Sequence, residues 1–332
     1  MDMLTSHLEK ITEVSKETFE EQALKLFHEQ FKHNDIYKKF VDLALKHPGE
    51  IKSLNQIPFL PISFFKSHTI KTTTFEEMLV FESSGTTGSI TSRHFLKNAS
   101  VYENSFLAAF EQFYGPVDQY CFLALLPSYL ERGSSSLVYM TKKFMEKSNH
   151  LMNGFYLDDF ESLYNTLQKL EAQKQRTILI GVTYALLDFA ALYPQPLQYT
   201  IIMETGGMKG RKEELLRDEV HERLKNAFSL AGIHSEYGMT ELLSQAYSAK
   251  DGIFRTPPWL RIILREEDDP RQLIFKTAVP KMGLINIIDL ANVYSCSFIA
   301  TDDIGRLYPD ECFEVLGRAD NSDIRGCSLL SI

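Results

Sequence analysis

Four hydroxyl side chains and two glycines fall within residues 83–88, directly after a short apolar run at 78–81 that predicts a β-strand. The hydroxyls belong to Ser83, Ser84, Thr86 and Thr87, and the glycines are Gly85 and Gly88. Glycine allows the backbone to turn tightly and to approach a ligand closely. Because phosphate oxygens accept several hydrogen bonds at once, this arrangement of hydroxyls and backbone N–H groups indicates a phosphate-binding loop.

A flexible surface linker is the competing interpretation of the same stretch. The Gly-x-x-x-x-Gly-Lys-[Ser/Thr] motif of other nucleotide-binding loops is absent from it. Ser, Thr and Gly are common in linkers, and composition by itself favours a linker. The other polar segments of the chain must therefore decide between the two interpretations.

Three further polar segments follow along the chain. They are Tyr-Gly-Met-Thr-Glu at 237–241, Thr-Asp-Asp-Ile-Gly-Arg-Leu at 301–307, and Phe-Glu-Val-Leu-Gly-Arg-Ala-Asp at 313–320. With the loop, and in this order, they resemble the motifs of the adenylate-forming superfamily, which includes acyl-CoA synthetases, peptide-synthetase adenylation domains and luciferases. The resemblance covers about residues 55–332, with Asp302 where the family has glycine. Four such segments in order favour the phosphate-binding loop.

Length and composition set the broad class of protein. The chain has 332 residues, a formal charge of −9 and a pI of about 5.6, which argues against a nucleic-acid partner. No apolar run approaches the ~20 residues of a membrane helix, so no membrane span is expected. The charged N-terminus lacks a secretory signal pattern, and a cytoplasmic location with reduced thiols is expected. The cysteines, which form no zinc-binding pattern, are Cys121, Cys296, Cys312 and Cys327.

Apolar runs alternate with helical patterns through the middle of the chain. Strands are predicted at 121–126, 177–182, 199–203 and 233–237, and helices at 99–114, 159–175 and 209–231. The last helix carries an apolar stripe, Leu216, Val220, Leu224 and Phe228, and Gly232 is predicted to end it in the left-handed conformation. This alternation predicts βαβ units and an α/β fold with helices packed on both faces of the sheet. The resemblance implies multilayered sheets of the adenylate-forming N-terminal-domain type.

The two ends of the chain differ from this middle part. Residues 6–48 predict helices in which Phe40 and Leu43 continue the packing face, and the prolines within 57–62 predict an extended segment. Beyond about residue 251, short strands predict a small C-terminal β region at 272–276, 283–288, 297–300 and 313–316. The predicted division is a helical part at 1–75, an α/β adenylate-forming body at 76–250, and the β region with its C-terminal tail at 251–332.

The resemblance implies an ATP site built from loops at the carboxyl ends of the strands. The β- and γ-phosphates would be bound by Ser83, Ser84, Gly85, Thr86, Thr87 and Gly88. Gly206 and Gly207 would let the purine lie against bare backbone, and Tyr237 would stack on the adenine. A core tyrosine is the alternative interpretation of Tyr237.

The resemblance also implies roles around the phosphates and the ribose. Thr240 would bind the α-phosphate, and Glu241 would hold Mg²⁺, a cation that prefers oxygen ligands. Asp303 would accept hydrogen bonds from both ribose hydroxyls, while the neighbouring Asp302 is expected to face solvent. Arg318 would reach the phosphates or the ribose. An exposed glutamate at the start of a helix is the alternative for Glu241.

Within the superfamily, the chain is most similar to the acyl-protein synthetases, the synthetase subunits of bacterial luminescence fatty-acid reductase complexes. The matching segments are 57–61, 83–88, 205–210, 235–242 and 325–329. The resemblance implies that ATP activates a fatty acid, that the acyl group passes to Cys327, and that an acyl reductase or another acceptor protein receives it. Because 12 residues follow Asp320 (332 − 320), the mobile C-terminal domain of the superfamily is expected to be absent.

Cys327 lies in Arg-Gly-Cys-Ser, the position that is acylated in the family that the chain resembles. Arg325 and Arg318 would favour the thiolate, which is the reactive form. Seven residues separate Asp320 from Cys327 (327 − 320), a reach of about 25 Å when extended. The remaining cysteines fall in or beside predicted strands and are expected to be core residues.

Other functions stay open at this point. The chain could be a truncated aryl- or acyl-CoA ligase, a non-catalytic nucleotide-binding relative, or an acyltransferase that uses a cysteine or serine without ATP. Apolar residues near 134–139, 182–187 and 242–247 suit either an acyl-binding tunnel or an ordinary core. The identity of the acid is not specified by any of these residues.

Overall fold

The computed structural model describes residues 11–45, 47–83, 90–126, 133–206, 215–267 and 269–319. Two compact units are present. The first consists of Met1–Ser105, Thr240–Ser244 and Arg255–Ile332, and the second of Phe106–Met239 and Gln245–Phe254. The sequence predicted three consecutive parts with boundaries at residues 75 and 250, whereas each of these units combines separate segments of the chain. The predicted division stays a prediction.

The regular elements are numbered in chain order over the described residues. The helices are α1 Phe19–His33, α2 Asp35–Ala44, α3 Phe64–Ser67, α4 Ala99–Tyr114, α5 Ser136–Ser148, α6 Phe160–Ala172, α7 Thr183–Leu192 and α8 Arg217–Phe228. The strands are β1 Leu60–Pro61, β2 Leu79–Glu82, β3 Arg93–Leu96, β4 Cys121–Leu125, β5 Gly154–Phe155, β6 Thr177–Gly181, β7 Thr200–Glu204, β8 His234–Tyr237, β9 Ala246–Ser248, β10 Leu260–Arg265, β11 Leu273–Ile274, β12 Lys281–Asp289, β13 Phe298–Leu307 and β14 Phe313–Arg318.

The second unit contains a six-stranded sheet in the order β5-β4-β6-β7-β8-β9. Its first five strands are parallel, and β9 returns antiparallel to β8. All five residues of β4 and of β6 are buried, as expected for parallel strands covered on both faces. The predicted parallel strands are confirmed, and their carboxyl ends lead into the segments that carry Gly206 and Tyr237.

Helix α8 corrects two of the predictions. It begins at Arg217, so Leu216 precedes it and is 67% exposed instead of belonging to the buried stripe. The helix ends at Phe228, and Ser229 takes the left-handed conformation with φ of 54°. The prediction that Gly232 would end the helix in this conformation is therefore wrong. A Cβ on Gly232 would lie 3.1 Å from the Lys250 Cβ. Close packing against Lys250, and not a left-handed backbone, therefore explains why glycine suits this position.

The first unit contains a second six-stranded sheet, in which the path β1-β13-β12-β10-β11 is extended by β14 pairing with β13. Strand β1 lies parallel to β13, with Leu60 opposite Ile299, so the predicted extended segment at 57–62 is confirmed. Pro61 fits because β1 is an edge strand, where a missing N–H is tolerated. The sequence prediction missed β10, although its residues pair with β12 along six positions.

Helices α1 and α2 pack their aromatic residues against β13 within the first unit. The Phe298 ring lies 6.1 Å from Phe27 and 6.0 Å from Tyr37, measured between ring centroids. The buried residues of α2 are Tyr37 and Val41, whereas Leu43 is 90% exposed. The prediction of Leu43 as a packing residue is therefore wrong, because a residue two positions after Val41 turns away from the packed face.

Within the described ranges, none of the helices is both long enough and apolar enough to span a lipid bilayer.

Candidate functional site

The predicted site residues fall into two groups. Outside the described residues lie Ser84, Gly85, Thr86, Thr87, Gly88, Gly207 and Cys327. Within them lie Ser83, Gly206, Tyr237, Thr240, Glu241, Asp303 and Arg318. Of the described site residues, Gly206 and Tyr237 belong to the second unit and the others belong to the first unit.

Ser83 closes the hairpin of β2 and β3. Its N–H donates to the carbonyl of Ser92 over 3.0 Å, and its hydroxyl oxygen accepts from the N–H of Ser92 over 2.9 Å. These bonds continue the strand pairing one step beyond Glu82 and Arg93. Ser83 therefore uses its hydroxyl oxygen to hold the two strands together at the start of the predicted phosphate loop.

Glu241 lies in a turn, and it is 5% exposed. Burial raises the pKa of its carboxyl group, while a hydrogen bond from Ser92 and the positive charges of Arg318 and Lys66 lower it, with a net rise. An exposed glutamate at the start of a helix is therefore excluded. The positive charges favour the ionised form of the carboxyl group. An ionised carboxylate is an oxygen ligand of the kind that Mg²⁺ prefers.

The backbone on either side of Glu241 is held by buried side chains. The Nδ1 atom of His94 lies 2.8 Å from the carbonyl oxygen of Thr240, and burial lowers the pKa of His94 to about 4. Since a carbonyl only accepts, the neutral ring must carry its proton on Nδ1. The side-chain amide of Asn292 donates to the carbonyl of Glu241 over 2.8 Å.

A fully buried carboxylate, Asp289, holds the next residues of the same turn. It accepts from the N–H of Leu243 over 2.8 Å, from the hydroxyl of Ser244 over 2.6 Å, and from the N–H of Ala291 over 3.0 Å. Burial raises the pKa of Asp289, while these hydrogen bonds lower it, with a net rise. The sequence analysis did not predict Asp289 or Asn292 as residues that support the site. The available signal was an aspartate at the end of the mainly apolar strand segment 284–289.

Asp303 and Arg318 face each other across the pairing of β13 and β14. The Arg318 Nε donates to the Asp303 Oδ1 over 3.0 Å. The Asp303 side chain is 7% exposed and that of Arg318 is 68% exposed. The two predicted ribose and phosphate ligands are therefore brought together as an ion pair, and Asp302 is exposed as predicted.

Gly206 follows the end of β7 by two residues in the second unit, with φ of +76°, a conformation that favours glycine. Its N–H donates to the Glu204 Oε1 over 2.7 Å, and the same carboxylate accepts from the Thr183 hydroxyl. Glu204 is buried, and although burial alone would raise its pKa, hydrogen bonds from His221 and Thr183 leave the pKa lowered. The turn at Gly206 is thus fixed by an ionised carboxylate.

Tyr237 is the last residue of β8, and its ring packs at 6.0 Å from the Phe254 ring within the second unit. Its side chain is partly exposed, which a residue confined to the core would not be. The preceding Glu236 has a pKa raised to about 8, because burial and the nearby Glu204 charge both disfavour its ionised form.

The three described cysteines are buried and free, as expected for core residues. Burial raises the pKa of Cys121 and of Cys296 to about 12, and that of Cys312 to about 11. Since the thiolate is the nucleophile, none of these three thiols is suited to acyl transfer near neutral pH.

The described residues contain no cluster of three or more metal-binding side chains. Mg²⁺ is usually held by one or two carboxylates together with phosphate oxygens and water, so such a cluster is not needed. The buried Glu241 carboxylate fits this requirement as a single oxygen ligand.

The fold matches solved structures of adenylate-forming ligases. ATP-bound MatB from Rhodopseudomonas palustris is 15% identical, with a TM-score of 0.54 over 72% of this chain and 47% of that chain. The Bacillus subtilis o-succinylbenzoate CoA synthetase in complex with ATP and magnesium is 15% identical, with a TM-score of 0.50 over 74% of this chain and 51% of that chain. The chain thus spans about half the length of these structures, and the predicted fold class is confirmed.

The family model described as "Acyl-protein synthetase, LuxE" matches residues 3–331. The long-chain-fatty-acid–luciferin-component ligase of Vibrio harveyi is 24% identical over 338 residues, covering 90% of this chain and 83% of that protein. The chain therefore belongs to the acyl-protein synthetase family, an enzyme family of ligase type, and the resemblance stated from its motifs is confirmed.

Proposed function

We propose that this enzyme uses ATP to activate a carboxylic acid, best supported as a fatty acid, and then transfers the acyl group to its own Cys327. The family match over residues 3–331 is the observation that carries the proposal. The name of the Vibrio harveyi relative supports a long-chain fatty acid as the substrate class.

In the first step, a carboxylate oxygen of the fatty acid attacks the α-phosphorus of ATP. The bond from that phosphorus to the oxygen bridging the β-phosphorus breaks, which gives acyl adenylate and pyrophosphate. The protein has to orient the two substrates and stabilise the charge on the phosphates. We assign Thr240 to the α-phosphate and the buried Glu241 to Mg²⁺, which would supply positive charge to the phosphate oxygens when bound.

The nucleotide roles of the other residues follow the family motifs. Asp303 is a nearly buried acceptor that suits ribose hydroxyls, and Arg318, whose side chain is 68% exposed, can turn toward phosphate. Gly206, with Gly207, is assigned to the purine and Tyr237 to adenine stacking. The triphosphate is assigned to the loop residues Ser83, Ser84, Gly85, Thr86, Thr87 and Gly88.

In the second step, the Cys327 thiolate attacks the carbonyl carbon of the acyl adenylate. The bond from that carbon to the phosphate oxygen breaks, AMP leaves, and a thioester forms on the enzyme. The buried state of the other three cysteines supports this choice of nucleophile. An acyl reductase or another acceptor protein would then take the acyl group, and a reducing cytoplasm would keep the thiol available.

Intact-protein mass spectrometry after incubation with ATP, Mg²⁺ and fatty acids tests this proposal. We expect an ATP-dependent acyl adduct on the wild type that hydroxylamine removes. The Cys327→Ser variant should keep ATP–pyrophosphate exchange and lose this adduct, whereas the matched Cys312→Ser variant should keep both. A thioester mapped to another cysteine, or free acyl-CoA formed when CoA is supplied, would contradict it.

A further inference from the structure

The turn at Thr240–Ser244 carries both residues that we assign to the α-phosphate and to Mg²⁺, yet it belongs to no helix or strand. Turns without their own backbone pairing need other groups to fix their geometry. Buried side chains satisfy this need here. His94 contacts the carbonyl of Thr240 and Asn292 contacts that of Glu241, both over 2.8 Å.

Asp289 meets a set of partners that all donate. The N–H groups of Leu243 and Ala291 and the hydroxyl of Ser244 point at its two carboxylate oxygens. An asparagine at this position would turn an NH₂ group, itself a donor, toward at least one of these donors. The contacts therefore require a carboxylate and not merely a polar side chain of this size.

A directed chain of hydrogen bonds leads to the same carboxylate within the first unit. The indole N–H of Trp259 donates to the Ser105 hydroxyl over 3.0 Å, and the Ser105 and Ser244 hydroxyl oxygens lie 3.0 Å apart. Because Ser244 donates to Asp289, Ser105 must donate to Ser244. Bonds that run in one direction polarise one another, which strengthens the attachment of Ser244 to Asp289.

Asp289 is the last residue of β12, and Asn292 lies in the tight turn that follows it. The N–H of Asn292 donates to the carbonyl of Asp289 over 3.1 Å, and the Asn292 side chain also reaches the carbonyl of Cys296 over 3.3 Å. Asn292 and Asp289 are both fully buried. The two side chains therefore give Glu241, Leu243 and Ser244 buried hydrogen-bond partners from one neighbouring segment.

We propose that Asp289 and Asn292 are positioning residues, which hold the backbone of Glu241 and Leu243 so that the Glu241 carboxylate is oriented for Mg²⁺ bound with ATP. This inference rests on the proposed role of Glu241. Groups that orient a metal ligand typically change metal affinity by about 10-fold or more when they are replaced.

The first test uses the metal-free protein and the Asp289→Asn variant. We expect the amide of Leu243 or that of Ala291 to exchange its hydrogen at least ~10-fold faster in the variant, because one of the two must face the new NH₂ group instead of an acceptor. Asn34→Ala is the control, since Asn34 is 1% exposed and hydrogen-bonds to Thr72, Tyr37 and Ser295 but to none of residues 240–244. Equal acceleration in the control, or none in Asp289→Asn, would overturn the proposed support.

The second test measures ATP binding by calorimetry with and without Mg²⁺. Asp289→Asn should weaken binding of the magnesium complex by about 10-fold and change binding of metal-free ATP by less than about 2-fold. Asn292→Asp, which puts an acceptor opposite the Glu241 carbonyl, should shift binding in the same direction and serves if Asp289→Asn does not fold. An equal loss with and without Mg²⁺ would overturn the inference.

A double variant separates this inference from the proposed function. If Asp289 acts through Glu241, adding Asp289→Asn to Glu241→Gln should weaken binding of the magnesium complex no further. Additive losses would overturn the positioning role alone. A Glu241→Gln protein with wild-type Mg²⁺ dependence would overturn the metal assignment as well, whereas a wild type without acid-dependent pyrophosphate exchange would contradict the proposed function.

Discussion

Glu241 in the first unit and Glu236 in the second lie five residues apart along the chain (241 − 236), and burial raises the pKa of both carboxyl groups. Their other neighbours differ. Arg318, Lys66 and Ser92 favour the ionised form of Glu241. The Glu204 charge adds to the effect of burial on Glu236, whose pKa reaches about 8.

The difference between the two environments supports different proposed roles for the two glutamates. Groups that stabilise a negative charge lie near Glu241, and its own turn is held by Asp289 and Asn292, which supports the proposed role of Glu241 as a Mg²⁺ ligand. Glu236 keeps its proton near neutral pH while Glu204 carries the charge that fixes the turn at Gly206. A raised pKa by itself would not have distinguished them.

The largest expected effect is on the adenylation reaction. Glu241→Gln should reduce acid-dependent ATP–pyrophosphate exchange by roughly 100-fold or more, because a ligand that brings positive charge to the phosphates is lost. Glu236→Gln is the matched control and should stay within a few-fold of the wild type. Equal losses in the two variants would remove the distinction between these glutamates.

Asp303 extends the comparison to a second carboxylate of the first unit, which forms an ion pair with the Arg318 guanidinium. Asp303→Ala should weaken ATP binding by on the order of 2–4 kcal/mol, because two ribose hydroxyls lose a charged acceptor. Calorimetry with ATP measures the loss, and 2′,3′-dideoxy-ATP should bind the variant and the wild type almost equally. An unchanged affinity for ATP would remove Asp303 from the nucleotide site.

Glu236 should affect stability and not catalysis. With a pKa of about 8 in the folded protein and an ordinary value near 4.5, its neutral form is favoured on folding. Its contribution is therefore complete below about pH 4.5 and is lost as the pH rises to about 8. Glu236→Gln should be more stable than the wild type at pH 8 by on the order of 1–3 kcal/mol, with a smaller gain at pH 5.

Thermal unfolding at the two pH values measures this difference, and Glu219→Gln, on the exposed face of α8, is a suitable control. A gain for Glu236→Gln that is the same at pH 5 and pH 8 would show that Glu236 does not keep its proton in the folded protein.

The smallest effect is expected for Arg318. Because its side chain is 68% exposed, Arg318→Gln should lower the free energy of unfolding by less than about 1 kcal/mol despite the ion pair with Asp303. Chemical denaturation of the variant measures this change. A loss of several kcal/mol would show that the ion pair stabilises the fold, and it would argue against Arg318 as a side chain that is available to bind the nucleotide.

Much of the parallel sheet was predictable because β4, β6 and β7 are continuous apolar runs between turn residues. Helix α7 was missed because it is buried on most of its surface and has no polar face to create a helical period. Strand β10 was missed because Arg261 and Arg265 interrupt its apolar pattern, although both arginines are partly buried in the fold. Local patterns do not reveal burial of this kind.

The site divides in the same way. Glu241 and Asp303 could be predicted as site residues because they lie within short motifs. Asp289 and Asn292 bind residues that lie 46 and 51 positions away in the chain. They bind backbone groups, which every residue type has, so the sequence of the partner segment does not indicate the contact. Contacts of this kind become visible only when the chain is folded.

Acid-dependent ATP–pyrophosphate exchange by the wild-type protein is the most direct test of acyl adenylate formation. With long-chain fatty acids and Mg²⁺ present, label from pyrophosphate should enter ATP, and omitting either the acid or the metal should abolish this exchange. A folded protein that binds ATP yet shows no exchange with any acid tested, and that instead becomes acylated from acyl-CoA without ATP, would contradict the account.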